Sequence, residues 1–249
     1  MKTAHTIGAL SIRLLSAIAI LCLLGLAVLT ALVIAAHHAP GDWLILTIAM
    51  AVRTTFMTHA ISVLTFIGSA VPTMIICAVL SLVELRHAMQ EPAFRQATTS
   101  RQRLFPVVQS AWPLLAFGGA VGFDILMRIA IGRLPPEVER IEQLLPEVQM
   151  SFQRYSFPSG HACTVLVTYG ALSVIAWRTP VVKWVTLVFA IFTIAGVGFG
   201  RLYLGVHWPS DVLAGYFLGT FWLMLALMVR RYLDSVKTAQ YDGLRVESK

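Results

Sequence analysis

Charge is scarce in this chain. Only 12% of its 249 residues are Asp, Glu, Lys or Arg, about half the ~25% of an ordinary soluble domain, while 57% are hydrophobic and the mean hydropathy is +0.77. A water-soluble globule is a poor fit to that balance. Acid is scarcer than base, 12 Asp and Glu against 19 Lys and Arg, for a net charge of +7. The basic residues fall in short clusters between apolar runs rather than along one soluble face, which argues for anionic lipid headgroups and against nucleic acid. Cysteine is nearly absent, and Cys22, Cys77 and Cys163 lie inside apolar stretches with no CxxC or Cys/His spacing. Neither a disulfide framework nor a zinc site is indicated. No linker, low-complexity tract or internal repeat divides the chain, so a single domain over residues 1–249 is expected, its motif-bearing core at about 104–229.

Long apolar runs are present instead. Leu14 to Ala36 is uncharged and exceeds the ~20 residues needed to cross a hydrocarbon core. It also exceeds the ~7–15 residues of a signal-peptide core, so it is read as a retained span. Asp42 to Arg53 is too short to cross and suits an interfacial helix. Further spans are expected at Thr54–Val83, Leu104–Ile131, Ser159–Trp177, Val185–Gly205 and Pro209–Val229. The fold class is therefore all-α: a polytopic membrane protein of six transmembrane helices plus one short interfacial helix.

Lys2, Arg13, the arginines of 84–103, Arg178, Lys183 and the basic C-terminal segment collect on one side. By the positive-inside rule that side is cytoplasmic and holds both termini. Arg53, Arg128, Arg133, Arg140, Arg154 and Arg201 fall on the other side. The expected place is the inner cell membrane, with the site facing the periplasm or exterior.

The residues able to do chemistry gather at those outer helix ends. Pro158, Ser159 and Gly160 open a helix whose first N–H groups lack partners, and the helix dipole adds positive potential there. Gly160 lets a ligand oxygen approach the main chain, and Ser159 offers a hydroxyl. Arg201 supplies a planar fork for phosphate oxygens. His207 and Asp211 stand four apart around a helix start marked by Pro209. A carboxylate there can accept the Nδ1 proton of the imidazole and leave the other nitrogen free to attack phosphorus. His161 can protonate the leaving oxygen. Asp124 and Arg128, four apart on one helix, read both as an internal ion pair and as a source of a phosphate ligand. Gly196, Gly198 and Gly200 read as close-packing positions between helices. The remaining histidines, His38 among them, show no ligand spacing.

The segments FPSGH at Phe157–His161 and GRLYLGVHWPSDVLAG at Gly200–Gly215 resemble the second and third signatures of the type 2 phosphatidic acid phosphatase (PAP2) family. The likeness extends to the six-span layout and covers most of the chain. It implies that His207 is the phosphorylated nucleophile, that Asp211 orients it, that His161 is the general acid, and that Ser159, Gly160 and Arg201 hold phosphate. It also implies a membrane lipid phosphate as substrate and no metal or other cofactor. The first signature, Lys-x6-Arg-Pro, is met by Arg128 in the lysine position, Pro135 in place of the arginine and Pro136 on the proline. Arg133 is then the expected stand-in for phosphate. Gly200 replaces the serine that usually precedes Arg201. The activity implied is hydrolysis of undecaprenyl diphosphate or of a phospholipid phosphate such as phosphatidylglycerophosphate or phosphatidate. Lipid phosphotransfer, lipid A dephosphorylation and an inactive scaffold are the alternatives.

Overall fold

A computed structural model describes residues 11–91, 94, 99–136 and 155–247, and the side chains throughout these except at 101, 102 and 237–247. Glu137, Glu139, Arg140, Glu142, Glu147 and Arg154, between the expected spans Leu104–Ile131 and Ser159–Trp177, lie outside the described residues, as does Lys2. Among the described residues every regular element is a helix: α1 (Ile12–Ala36), α2 (Asp42–Ala51), α3 (Thr55–Ile67), α4 (Ala70–Gln90), α5 (Ser100–Ser110), α6 (Trp112–Ile131), α7 (Gly160–Ala176), α8 (Val182–Tyr203) and α9 (Pro209–Glu247).

Five of these are long and apolar enough to cross a membrane: α1, α4, α6, α8 and the Pro209–Val236 part of α9. The expected span Ser159–Trp177 is met by α7, a shorter apolar helix of 17 residues with a rise of about 26 Å at ~1.5 Å per residue. It is the central element, packed against α4, α6, α8 and α9. Ala162, Cys163, Val165, Val167, Thr168 and Ala171 are buried around its whole circumference. Outer faces of the other helices carry exposed apolar side chains such as Leu21, Ile34, Val63, Phe66, Val188 and Phe192, as a bilayer demands.

Two of the expected spans need correction. Thr54–Val83 is not one helix: the chain breaks at Gly68 and Ser69, so α4 alone is the span, while α3 packs on α8. Val197 of α8 explains the break, because a Cβ on Gly68 would lie 2.8 Å from its Cγ1, and the Gly68 carbonyl turns to accept a hydrogen bond from the Thr164 hydroxyl of α7 at 2.9 Å. α2 and α3 meet at 118°, and α2, with ten residues, is too short to cross. Leu104–Ile131 is likewise divided at Ala111. Pro113 opens α6, where a missing N–H costs nothing, and α5 packs separately against α4.

The alternating direction of the spans leaves α7 and α9 starting, and α6 and α8 ending, at the same end of the bundle. At the opposite end Glu84, expected in a loop, lies inside α4 and pairs with Arg178 at 2.9 Å and Arg230 at 2.8 Å. Those two guanidiniums make a buried carboxylate tolerable.

Candidate active site

The start of α9 is drawn against the start of α7 by an absent side chain. A Cβ on Gly215 would collide with the Ser159 carbonyl and lie 3.0 Å from the Ala162 Cβ. With glycine there the backbones meet, and the Ser159 N–H donates to the Asp211 carbonyl at 2.9 Å. Ser159 is the N-cap of α7, yet its hydroxyl makes no capping bond. That oxygen is buried without any hydrogen-bond partner, an arrangement that costs roughly 1–3 kcal/mol unless a ligand completes it. The N–H groups of Gly160, His161 and Ala162 have no helical acceptor behind them.

Two arginines bracket this helix start. Arg128, in the last turn of α6, donates from Nε to Asp124 at 2.9 Å and from Nη1 to the Tyr155 carbonyl at 2.8 Å. Its Nη2 lies against Gly160, where a Cβ would stand 2.9 Å from that nitrogen and equally near Asp124 Oδ2. Of the two readings of Asp124 and Arg128 the structure shows the ion pair, with Nη2 placed beside Gly160. Arg201, in the last turn of α8, has its Nε buried with no hydrogen-bond partner. Arg201, His207 and Arg128 are all within electrostatic reach of His161.

His207 sits in the turn between α8 and α9. Its Nδ1 is 2.9 Å from the Ser156 carbonyl and 3.5 Å from Asp211 Oδ2. A carbonyl can only accept, so Nδ1 carries the ring proton and Nε2 keeps its lone pair. The carboxylate expected to take that proton is the more distant acceptor: Asp211 Oδ2 accepts the Trp208 N–H at 2.8 Å. Burial lowers the His207 pKa to about 4; Asp211 opposes the shift, while Arg201 and Arg128 add to it. The imidazole is held neutral.

Arg133, expected to hold phosphate, spends both Nη groups on partners within the fold, while its Nε is buried with no hydrogen-bond partner. It is 6% exposed, and its Nη1 donates to Ser210 Oγ at 2.7 Å and to Asp211 Oδ1 at 2.5 Å. Nη2 donates to Asp42 Oδ2 at 2.7 Å, and the guanidinium lies over the Trp208 ring. Two carboxylates fixed in the fold thus share this one cation. Asp42 also accepts from the Ser210 N–H at 2.9 Å and from its hydroxyl at 2.7 Å. Sequence reasoning missed Asp42, Ser156 and Ser210. A signal existed for the first, since Asp42 is the sole acidic residue before Glu84. His38, assigned no role, packs on Trp43 and Trp208 beside this network. Among the described residues no three His, Cys, Asp or Glu side chains group as a metal-ligand set.

The family model described as PAP2 superfamily matches residues 109–234, just over half of the chain. The chain belongs to the PAP2 superfamily. An undecaprenyl-diphosphatase of Sulfolobus acidocaldarius is 39% identical over 75 residues, 30% of this chain and 34% of that protein. Phosphatidylglycerophosphatase B of Bacillus subtilis is 31% identical over 143 residues, 50% of this chain and 68% of that one. The crystal structure of a transmembrane PAP2 type phosphatidylglycerolphosphate phosphatase from Bacillus subtilis has the same fold, with a TM-score of 0.58 at 23% identity, covering 84% of this chain and 93% of that one.

Within the PAP2 frame, Gly200 has a local explanation. A Cβ there would lie 2.7 Å from Thr65 Cγ2 and 2.9 Å from Ile61 Cγ2, so α3 fills the space that a serine would need. Gly196 is tight in the same way against Leu64, at 2.7 Å. The glycines of α8 are packing positions.

Proposed function

We propose that this PAP2 superfamily member is a lipid phosphate phosphatase that works through a phosphohistidine at His207. The observation that carries the reading is the Ser156 carbonyl against His207 Nδ1, which leaves Nε2 unprotonated in a neutral ring beside two polar groups with no partner, Ser159 Oγ and Arg201 Nε. A phosphoryl group seated on Ser159, the free N–H groups from Gly160 onward, Arg201 and Arg128 Nη2 would meet cations and donors on several sides. Nε2 attacks phosphorus, the bond from phosphorus to the ester or anhydride oxygen breaks, and His161 delivers a proton to that oxygen. Water then attacks the phosphohistidine, gives its proton to His161 and releases inorganic phosphate with both histidines restored. Asp211 stabilises the His207 ring as it becomes cationic.

The substrate is read as undecaprenyl diphosphate or a phospholipid phosphate such as phosphatidylglycerophosphate or phosphatidate, on the strength of what the relatives are named for. Support for an extracytoplasmic site comes from the Lys and Arg count, because the basic clusters lie at the end opposite to His207. Phosphate release by purified protein in detergent from these lipids and from lipid A, with EDTA present and beside His207→Ala, is the test. Release that disappears in the variant supports the reading. Transfer of label to a second lipid instead of water would point to phosphotransfer, and no release from any lipid would overturn both.

A further inference from the structure

Asp42 is 2% exposed and accepts four hydrogen bonds. They come from the Ala39 N–H at 3.0 Å, Arg133 Nη2 at 2.7 Å, the Ser210 N–H at 2.9 Å and the Ser210 hydroxyl at 2.7 Å. The last two fix the first turn of α9, one residue before Asp211. Arg133 carries the connection onward, one guanidinium nitrogen on Asp42 and the other on Asp211 Oδ1 at 2.5 Å. Asp211 in turn holds the Trp208 N–H with Oδ2 at 2.8 Å, and that oxygen faces His207 Nδ1 at 3.5 Å. Three segments remote in sequence are thereby tied around one imidazole.

We propose that Asp42 and Arg133 are positioning residues for His207, acting through Asp211; the proposal deepens the phosphohistidine reading and rests on it for its kinetic consequence. Two carboxylates around one guanidinium leave one negative charge in excess, 3.5 Å from the ring through Asp211. When Nε2 forms its bond to phosphorus the ring keeps its Nδ1 proton and becomes a cation. The excess charge of the Asp42, Arg133 and Asp211 cluster is matched to that cation, in a pocket where low dielectric makes the match effective. Arg133 prevents Asp211 from swinging onto Nδ1 and displacing the Ser156 carbonyl. Asp42 prevents Arg133 from pairing with Asp211 alone and cancelling its charge.

The test uses full-length protein in detergent, comparing wild type with Asp42→Asn, Arg133→Gln, the double variant and Ser210→Ala. Asp42→Asn and Arg133→Gln should each lower kcat for lipid phosphate release about 10²-fold, the scale of a small misplacement of a reacting group, with KM within about twofold. The double variant should be no slower than the slower single variant, because the two act as one unit. Ser210→Ala keeps both ion pairs and loses only the hydroxyl, so a kcat about fivefold lower, the scale of one hydrogen bond, is expected even if the charged variants do not fold. Histidine-selective 15N NMR reads the same arrangement without turnover: the His207 ring should stay Nδ1–H, but its Nδ1 resonance should shift in Asp42→Asn, or in Ser210→Ala if that variant alone folds, as the Asp211 carboxylate moves toward Nδ1 in place of the Ser156 carbonyl. If wild type releases no phosphate the catalytic reading fails, and the NMR spectrum still decides the positioning. An unchanged His207 spectrum, a rise in KM with kcat intact, or multiplicative losses in the double variant would overturn the proposal.

Discussion

His207 Nδ1 and the Ser156 carbonyl are 2.9 Å apart, so the main chain, and not a side chain, fixes which nitrogen of the ring is protonated. Side-chain substitution cannot remove that acceptor. Variants at His207 and Asp211 should therefore differ in severity. His207→Ala should abolish phosphate release. Asp211→Asn should retain the tautomer and lose the charge, for a drop in kcat of about 10²-fold, comparable to loss of one preorganised electrostatic group. Steady-state rates of both variants on the lipid that wild type hydrolyses fastest check this.

In the proposed reaction the depressed pKa of His207, about 4, sets the acid limit at this group. Its nucleophilic form is neutral, so kcat/KM should not be lost through this ring until pH falls toward 4, whereas an ordinary histidine near 6.5 would already be protonated. The same shift acts on stability. Between about 6.5 and 4 the unfolded chain binds a proton that the native ring does not, so stability from this group falls as pH drops through that window. A pH profile of kcat/KM and a thermal unfolding series across the same range test the two parts separately.

Ser159→Ala should separate stability from ligand binding. The hydroxyl is buried with no partner, so its removal should leave the melting temperature unchanged or slightly higher. Tungstate or vanadate, as phosphate mimics, should bind about tenfold more weakly, the equivalent of one hydrogen bond to a charged group. Calorimetric titration beside thermal unfolding reads both.

Gly200→Ser restores the hydroxyl that the PAP2 resemblance leads one to expect, into space held by Thr65 Cγ2 at 2.7 Å. Overpacking of this kind costs about 1–3 kcal/mol. A lower melting temperature is expected, with partial recovery when Thr65→Ser is added, because that methyl is then gone while Ile61 Cγ2, 2.9 Å from the added Cβ, remains. Equal stability of the single variant and wild type would show that α3 yields.

The residues that converge at one end of the bundle were legible because their relation is local: His207 and Asp211 are one helical turn apart, and Ser159, Gly160 and His161 are adjacent. The spans were legible for a similar reason, since hydropathy integrates over neighbours. What stayed hidden depends on contacts between distant segments. Gly68 and Ser69 interrupt an apolar run without changing its hydropathy, and only Val197 and Thr164 across the bundle reveal why the chain turns there. Arg133 reads as a phosphate ligand while its neighbours in sequence are the sole guide. Its two carboxylates lie 91 and 78 positions away, at separations that no motif records.

The bond from the Ser159 N–H to the Asp211 carbonyl has a mechanical meaning. It joins the helix start proposed to receive the anion to the turn that carries His207, so thermal sway of α7 against α9 should displace both together and keep the span between them. In the proposed reaction this junction, seated where Gly215 admits the neighbouring backbone, would hold nucleophile and anion in register from one turnover to the next.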